Sequence, residues 1–198
     1  MIRDFRLADF VTLGNAACGT AAIFLAITYV VSGALSHFLM AAAMAPLAFA
    51  FDWLDGKVAR WRGQHSPMGR ELDSLADVVS FGVAPATLAF ASGLRGGWDV
   101  IVLIYFVCCG VSRLARYNVT AESLSAGADK VPYFEGTPIP TSIVLTGVLT
   151  GIAWVRGLSP PLPGGALDIA GWTLHPLVLL FALSGTLMIS KTLRIPKL

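Results

Sequence analysis

Apolar residues fall along this chain in runs of about twenty, separated by short clusters of charge, proline and glycine. As a helix, a run of that length matches the hydrocarbon thickness of a bilayer. Six spans are predicted, at about 10–31, 36–60, 70–93, 98–118, 139–155 and 172–191. Ahead of them, Ile2, Arg3, Phe5, Arg6 and Leu7 mix charge with bulk, which predicts a short amphipathic helix lying on the membrane surface. A cleaved signal is not expected there. Asp4 and Asp9 interrupt the basic stretch, and the apolar run that follows is too long for a signal core. The segment 119–137 is polar and closes in Gly136-Thr137-Pro138-Ile139-Pro140, whose prolines set a rigid start for the fifth span. The proline- and glycine-rich segment 156–171 reads as a plain surface connection. The expected fold is an all-α integral membrane protein, a single domain over 1–198 with six transmembrane helices after a short N-terminal surface helix.

Composition supports this and adds an orientation. Apolar residues make up 56% of the chain and charged residues only 13%, outside the range of ordinary soluble domains. With six spans, 12 of the 14 lysines and arginines fall on one face, and only Arg95 and Arg156 on the other. The positive-inside rule makes the basic face cytoplasmic, so both termini are expected there in a multi-pass cell-membrane protein. Trp98, Trp154 and Trp172 then mark the outer interface, and Trp53 and Trp61 the inner one. Cys18, Cys108 and Cys109 lie in apolar segments at spacings that suit neither a disulfide framework nor a zinc site. No nucleic-acid partner is expected.

The candidate chemistry lies where charge is most expensive. Asp52, Asp55, Asp73 and Asp77 stand inside or at the edge of apolar spans, where a carboxylate costs roughly 2.5–3.5 kcal/mol at the bilayer centre. They must therefore face water, a metal or a counter-ion. On a helix, Asp52, Asp55, Gly56 and Ala59 share one face, and Gly69, Asp73 and Asp77 form a second stripe. Two helices joined by a turn around 63–67 can aim both stripes at one point. Hard divalent cations, Mg²⁺ or Mn²⁺, are the natural neutralisers of such a cluster. The glycines and Ala59 leave room for a large ligand, and Arg60 offers a planar fork for phosphate. Acid-held metals beside an arginine are the parts of a phosphoryl-transfer site. Asp52 precedes Arg60 by eight residues, about 12 Å of helix rise, so the cluster is submerged but within reach of cytosolic water.

The stretch Asp52-Trp53-Leu54-Asp55-Gly56-Lys57-Val58-Ala59-Arg60, continued after eight residues by Gly69-Arg70-Glu71-Leu72-Asp73-Ser74-Leu75-Ala76-Asp77, resembles the signature of the CDP-alcohol phosphotransferase family at every fixed position. Within that family, four further segments resemble the integral-membrane phosphatidylserine synthases: Ser80-Phe81-Gly82-Val83-Ala84-Pro85, Ser112-Arg113-Leu114-Ala115-Arg116-Tyr117-Asn118, the block 133–140, and Thr12, Asn15 and Cys18-Gly19 in the first span. The resemblance implies six helices around a polar cavity open to the cytosol, a homodimer, and two divalent ions, Mg²⁺ or Mn²⁺. It also implies transfer of the phosphatidyl group of CDP-diacylglycerol to L-serine, giving phosphatidylserine and CMP. Carried over residue by residue, Asp52, Asp55, Asp73 and Asp77 would hold the metals. Asp52, Gly56, Ala59, Arg60, Gly69 and Asp73 would line the CDP site, and Asp77 would act as general base.

Serine is a zwitterion whose carboxylate needs a cationic partner. Arg113 and Arg116, three apart at a cytoplasmic helix end, are the candidates, with Asn118 nearby; the alternative is that both arginines only snorkel to lipid phosphates. Thr12 and Asn15 either line the cavity or serve helix packing. Glu71 lies off the face of Asp73 and reads as a surface or ion-pair residue. Within the enzyme class the alternatives are an archaetidylserine synthase using CDP-archaeol, or an acceptor such as glycerol 3-phosphate or inositol phosphate. From another class, a cation transporter would use the acidic cluster as its ion site, but it has no need of Gly56, Ala59, Arg60 and Gly69 at these offsets.

Overall fold

The computed structural model describes residues 7–62, 67–125, 133–158, 162–192 and 194–196. Its helices are α1 (Leu7–Ser32), α2 (Leu35–Arg62), α3 (Pro67–Asp77), α4 (Ala84–Ala91), α5 (Gly97–Ser125), α6 (Ile143–Arg156) and α7 (Leu179–Ile189). Two short two-stranded sheets pair β1 (Tyr133–Glu135) with β4 (Arg194–Pro196), and β2 (Leu167–Ile169) with β3 (Trp172–Leu174). Among the described residues five helical segments are long and apolar enough to cross a membrane: Leu7–Ser32, Leu35–Val58, Met68–Ala91, Gly97–Val119 and Ile139–Arg156. They coincide with the first five predicted spans to within a few residues. The sixth apolar helix, Pro176–Ile189, is shorter than the predicted 172–191, because Trp172–Leu174 is spent on a strand. The expected surface helix over 1–9 falls mostly outside the described residues; Leu7, Ala8 and Asp9 are simply the first turn of α1.

The spans close on one another through small side chains. Ala22 and Ala26 of α1 and Ala41, Ala42, Ala45 and Ala48 of α2 are buried, and the two helices form the most extensive interface in the fold. Without a hydrophobic driving force inside lipid, close van der Waals approach of this kind is what holds membrane helices together. Larger residues fill the centre: Phe38, Phe81, Phe106, Phe181 and Leu88 are fully buried, with Phe106 and Phe181 edge-to-face at 5.3 Å. Outward, Phe24, Ile27, Val31 and Val144 are exposed, as lipid-facing positions should be.

α3 and α4 are two halves of one span, joined by a π-helical turn over Val78–Val83 in which the Ala84 amide donates to Val79 O. The widened turn starts at the residue after Asp77, and such π-bulges concentrate at functional sites.

At the end of the bundle away from the aspartates, the described part of 156–171 is more than a plain connection. β2 and β3 form a hairpin with Ile169 opposite Trp172, closed by Ala170 (φ 54°) and Gly171 (φ 79°). Two positive φ values are the signature of a type I′ turn, which suits the right-handed twist of paired strands. Trp98 Nε1 donates to Ile169 O at 2.9 Å, and its ring meets that of Trp172 at a tilt, the centroids 5.8 Å apart. Beside it, fully buried Asp99 accepts from the backbone N–H groups of Gly96 and His175, both at 2.8 Å, and pairs with His175 Nδ1 at 2.6 Å. At the other end, Gly136 (φ 74°) lets the chain pass so close to α7 that a Cβ would lie 2.3 Å from Met188 O.

Candidate active site

The site is built where the C-terminal third of α2 meets α3. Asp52 and Asp55 occupy one face of α2 three residues apart, and Asp73 and Asp77 one face of α3 four residues apart. One carboxylate oxygen from each of Asp52, Asp55 and Asp73 lies within 4.8 Å of the others. Asp77 is outside that trio yet close enough to feel the charge of all three. Three hard oxygens from two helices, converging at that spacing, are a donor set for a divalent cation. The fit is supported by an orphan: Asp73 Oδ1 is buried with no hydrogen-bond partner among the described residues, a costly arrangement that a metal would relieve.

α1 completes the walls. Thr12 Oγ1 lies 2.7 Å from Asp55 Oδ2, and Asn15 Nδ2 donates to Asp77 Oδ1 at 3.2 Å. Ser80, inside the π-turn, donates to Asn15 O at 2.8 Å. Of the readings the sequence left open, cavity lining or packing, Thr12 and Asn15 turn out to touch the aspartates themselves. Their signal was polar residues three apart in an apolar span. Nothing in the sequence announced Ser80 as the anchor of Asn15, since the π-turn leaves no periodicity mark.

The remaining predicted residues distribute as follows. Gly56 and Gly69 lie on the two acidic helices, both half-buried. The backbones of Ala59 and Arg60 belong to α2, and their side chains, like residues 63–66, are outside the described residues. Arg113 is buried on α5, in the electrostatic field of Asp77, and its Nε has no hydrogen-bond partner among the described residues. Arg116 reaches toward Ile189 O at the end of α7, at 3.4–3.5 Å. Asn118 bridges to α3, donating to Ser74 Oγ at 3.0 Å and to the Glu71 carboxylate at 3.3 Å.

A family model described as CDP-alcohol phosphatidyltransferase matches residues 5–184. The chain belongs to this family. It is a multi-pass membrane protein of a family that is generally divalent-metal dependent, and it carries an acidic cluster. Among its relatives is a CDP-diacylglycerol–serine O-phosphatidyltransferase of Saccharomyces cerevisiae, 42% identical over a 203-residue alignment that covers the whole chain and 72% of the relative. A protein of the same name from Methanocaldococcus jannaschii is 37% identical over 139 residues, 70% of the chain and 57% of the relative. An archaetidylserine synthase of Methanothermobacter thermautotrophicus is 38% identical over 142 residues, again 70% of the chain and 54% of the relative. The chain therefore spans little more than half the length of the two archaeal relatives. Membership in a transferase family also answers the transporter alternative.

Proposed function

We propose that the protein transfers the phosphatidyl group of CDP-diacylglycerol to the hydroxyl of L-serine, releasing CMP. The observation that carries this reading is the convergence of Asp52, Asp55 and Asp73 within 4.8 Å at one end of two apolar helices. There a soluble acceptor and a membrane-held lipid can meet. The names of the relatives supply the substrate class.

In this reading Asp52, Asp55 and Asp73, joined by Asp77, hold Mg²⁺ or Mn²⁺, two ions per site. Bound there, the metal neutralises the diphosphate and polarises the phosphorus under attack. Gly56 and Gly69 admit the nucleotide close to the helix backbones, with Ala59 and Arg60 along the same CDP-binding face. Asp77 takes the proton of the serine hydroxyl as the new O–P bond forms and the bond to CMP breaks, CMP leaving with the electron pair. Arg113 holds the serine carboxylate. It is buried and lies in the field of Asp77, whereas Arg116 and Asn118 engage α7 and α3 and complete the wall behind it. The acidic end faces the cytosol, since Lys57, Arg70, Arg113 and Arg116 all lie toward it. In a homodimer, which the family resemblance implies, each protomer would carry its own cluster of Asp52, Asp55 and Asp73.

The second reading is transfer from CDP-archaeol, favoured by the similarity to an archaetidylserine synthase. Both are tested by offering the purified protein CDP-diacylglycerol and CDP-archaeol, each against serine, glycerol 3-phosphate and inositol phosphate, and following CMP release. Serine-dependent CMP release that stops with EDTA and returns with Mn²⁺ is expected. CMP release with another acceptor alone, or turnover indifferent to chelation, would overturn the proposal.

A further inference from the structure

The first span does more than pack. Thr12 and Asn15 lie three residues apart on one face of α1, both buried, and each meets a different acidic helix: Thr12 the Asp55 carboxylate of α2, Asn15 the Asp77 carboxylate of α3. Two close approaches fix the depth of α1 beside them. A Cβ on Gly14 would lie 3.0 Å from the ring of Phe51, the residue before Asp52. One on Gly19 would lie 2.4 Å from Ser80 Oγ and 2.7 Å from Ser80 Cα, three residues after Asp77. α1 is thus fastened to α2 and to the π-turn directly beside the carboxylates it touches.

We infer that α1 is the positioning element of the metal site, with Thr12 and Asn15 orienting Asp55 and Asp77 by occupying one oxygen of each. A carboxylate swings freely about its last bond, and one hydrogen bond to a rigid neighbour removes that freedom. For Asp55, holding Oδ2 leaves the remaining lone pairs for the cation. For Asp77, the same constraint leaves Oδ2 for the acceptor proton. Neither Thr12 nor Asn15 is a catalytic residue; both act through the aspartates. The inference rests on the metal-dependent reading above.

The test uses the full chain in detergent or nanodiscs and measures Mn²⁺ binding directly by electron paramagnetic resonance, with CMP release as a second readout. Thr12→Val, close in shape but without a donor, should weaken Mn²⁺ by about 10- to 100-fold, the usual effect of losing a partner behind a metal ligand. Thr12→Ser should recover the affinity. Saturating Mn²⁺ should restore kcat in Thr12→Val but not in Asn15→Leu, because Asp77 also needs aiming for proton transfer. Wild-type affinity in Thr12→Val, equal loss in Thr12→Ser, or failure of excess Mn²⁺ to restore Thr12→Val would each overturn the positioning role. A wild-type chain that binds no Mn²⁺ would instead overturn the metal reading itself.

Discussion

Replacing Gly19 by alanine adds one methyl group at the place where α1 crosses the π-turn. The new Cβ would stand 2.7 Å from Ser80 Cα, where ordinary van der Waals contact begins near 3.4 Å, so the backbones must separate by about 0.7 Å. Ser80 cannot absorb this by rotating, because its backbone N would also lie 2.9 Å away. The same separation acts on Asn15, one turn along α1. Its 3.2 Å bond to Asp77 would stretch toward 3.9 Å, beyond hydrogen-bond range. Overpacking of this kind costs about 1–3 kcal/mol. The larger effect should be on rate, since a misplacement on the order of 1 Å can cost roughly 100-fold. The assay is serine-dependent CMP release at saturating CDP-lipid, alongside the thermal unfolding midpoint. Gly151→Ala serves as control, because nothing lies within 4 Å of a Cβ there. If Gly19→Ala turned over at the rate of Gly151→Ala, the claim that α1 sets the geometry of Asp77 would be wrong.

Three further outcomes are expected. Asp77→Asn should lower kcat by about 10²–10⁴-fold, the usual share of a general base, while the unfolding midpoint stays near wild type, because Asn15 can still donate to the amide oxygen; retained turnover would remove Asp77 from the chemistry. Arg113→Lys keeps the charge but loses the planar fork, and should raise KM for serine about tenfold with KM for the CDP-lipid unchanged, so an unaltered serine KM would reject the carboxylate contact. Asp99→Ala, at the far end of the bundle, strands the N–H groups of Gly96 and His175 at about 1–3 kcal/mol each; it should lower the unfolding midpoint without changing KM for serine, and an unchanged midpoint would show the Asp99–His175 pair to be idle.

What could be read in advance follows the physics that leaves a mark on sequence. Burial in lipid forces twenty-residue apolar runs, so five spans were legible almost to their ends, and a carboxylate in such a run is conspicuous at once. Helical spacing then placed Asp52 with Asp55 and Asp73 with Asp77. The third helix of the site was only half visible. Thr12 and Asn15 stood out as polar, but whether they faced a cavity or a neighbour depends on how α1 rotates, which no local pattern states. The hairpin at Leu167–Leu174 was missed for a related reason: Ala170-Gly171 lacks the Asn-Gly or Asp-Gly signal of a type I′ turn, and Asp168 reinforces it only by accepting from the Gly171 amide at 3.1 Å. Pairing of β1 with β4 joins segments about sixty residues apart, and such partners cannot be chosen from composition.

The widened turn at Val78–Val83 has a bearing on how this span tolerates changes in length. Dropping one residue from a packed α-helix swings everything beyond it by about 100° and drags it 1.5 Å along the axis, which would turn an inward row outward. A π-turn already stores one surplus residue. Removing it lets the coil tighten to ordinary pitch while the acidic half and the apolar half keep facing their neighbours. A scan of single-codon deletions along 68–91 should therefore find its survivors clustered in those six positions, folded and inserted, yet slow wherever the shortened loop pulls Ser80 off Asn15.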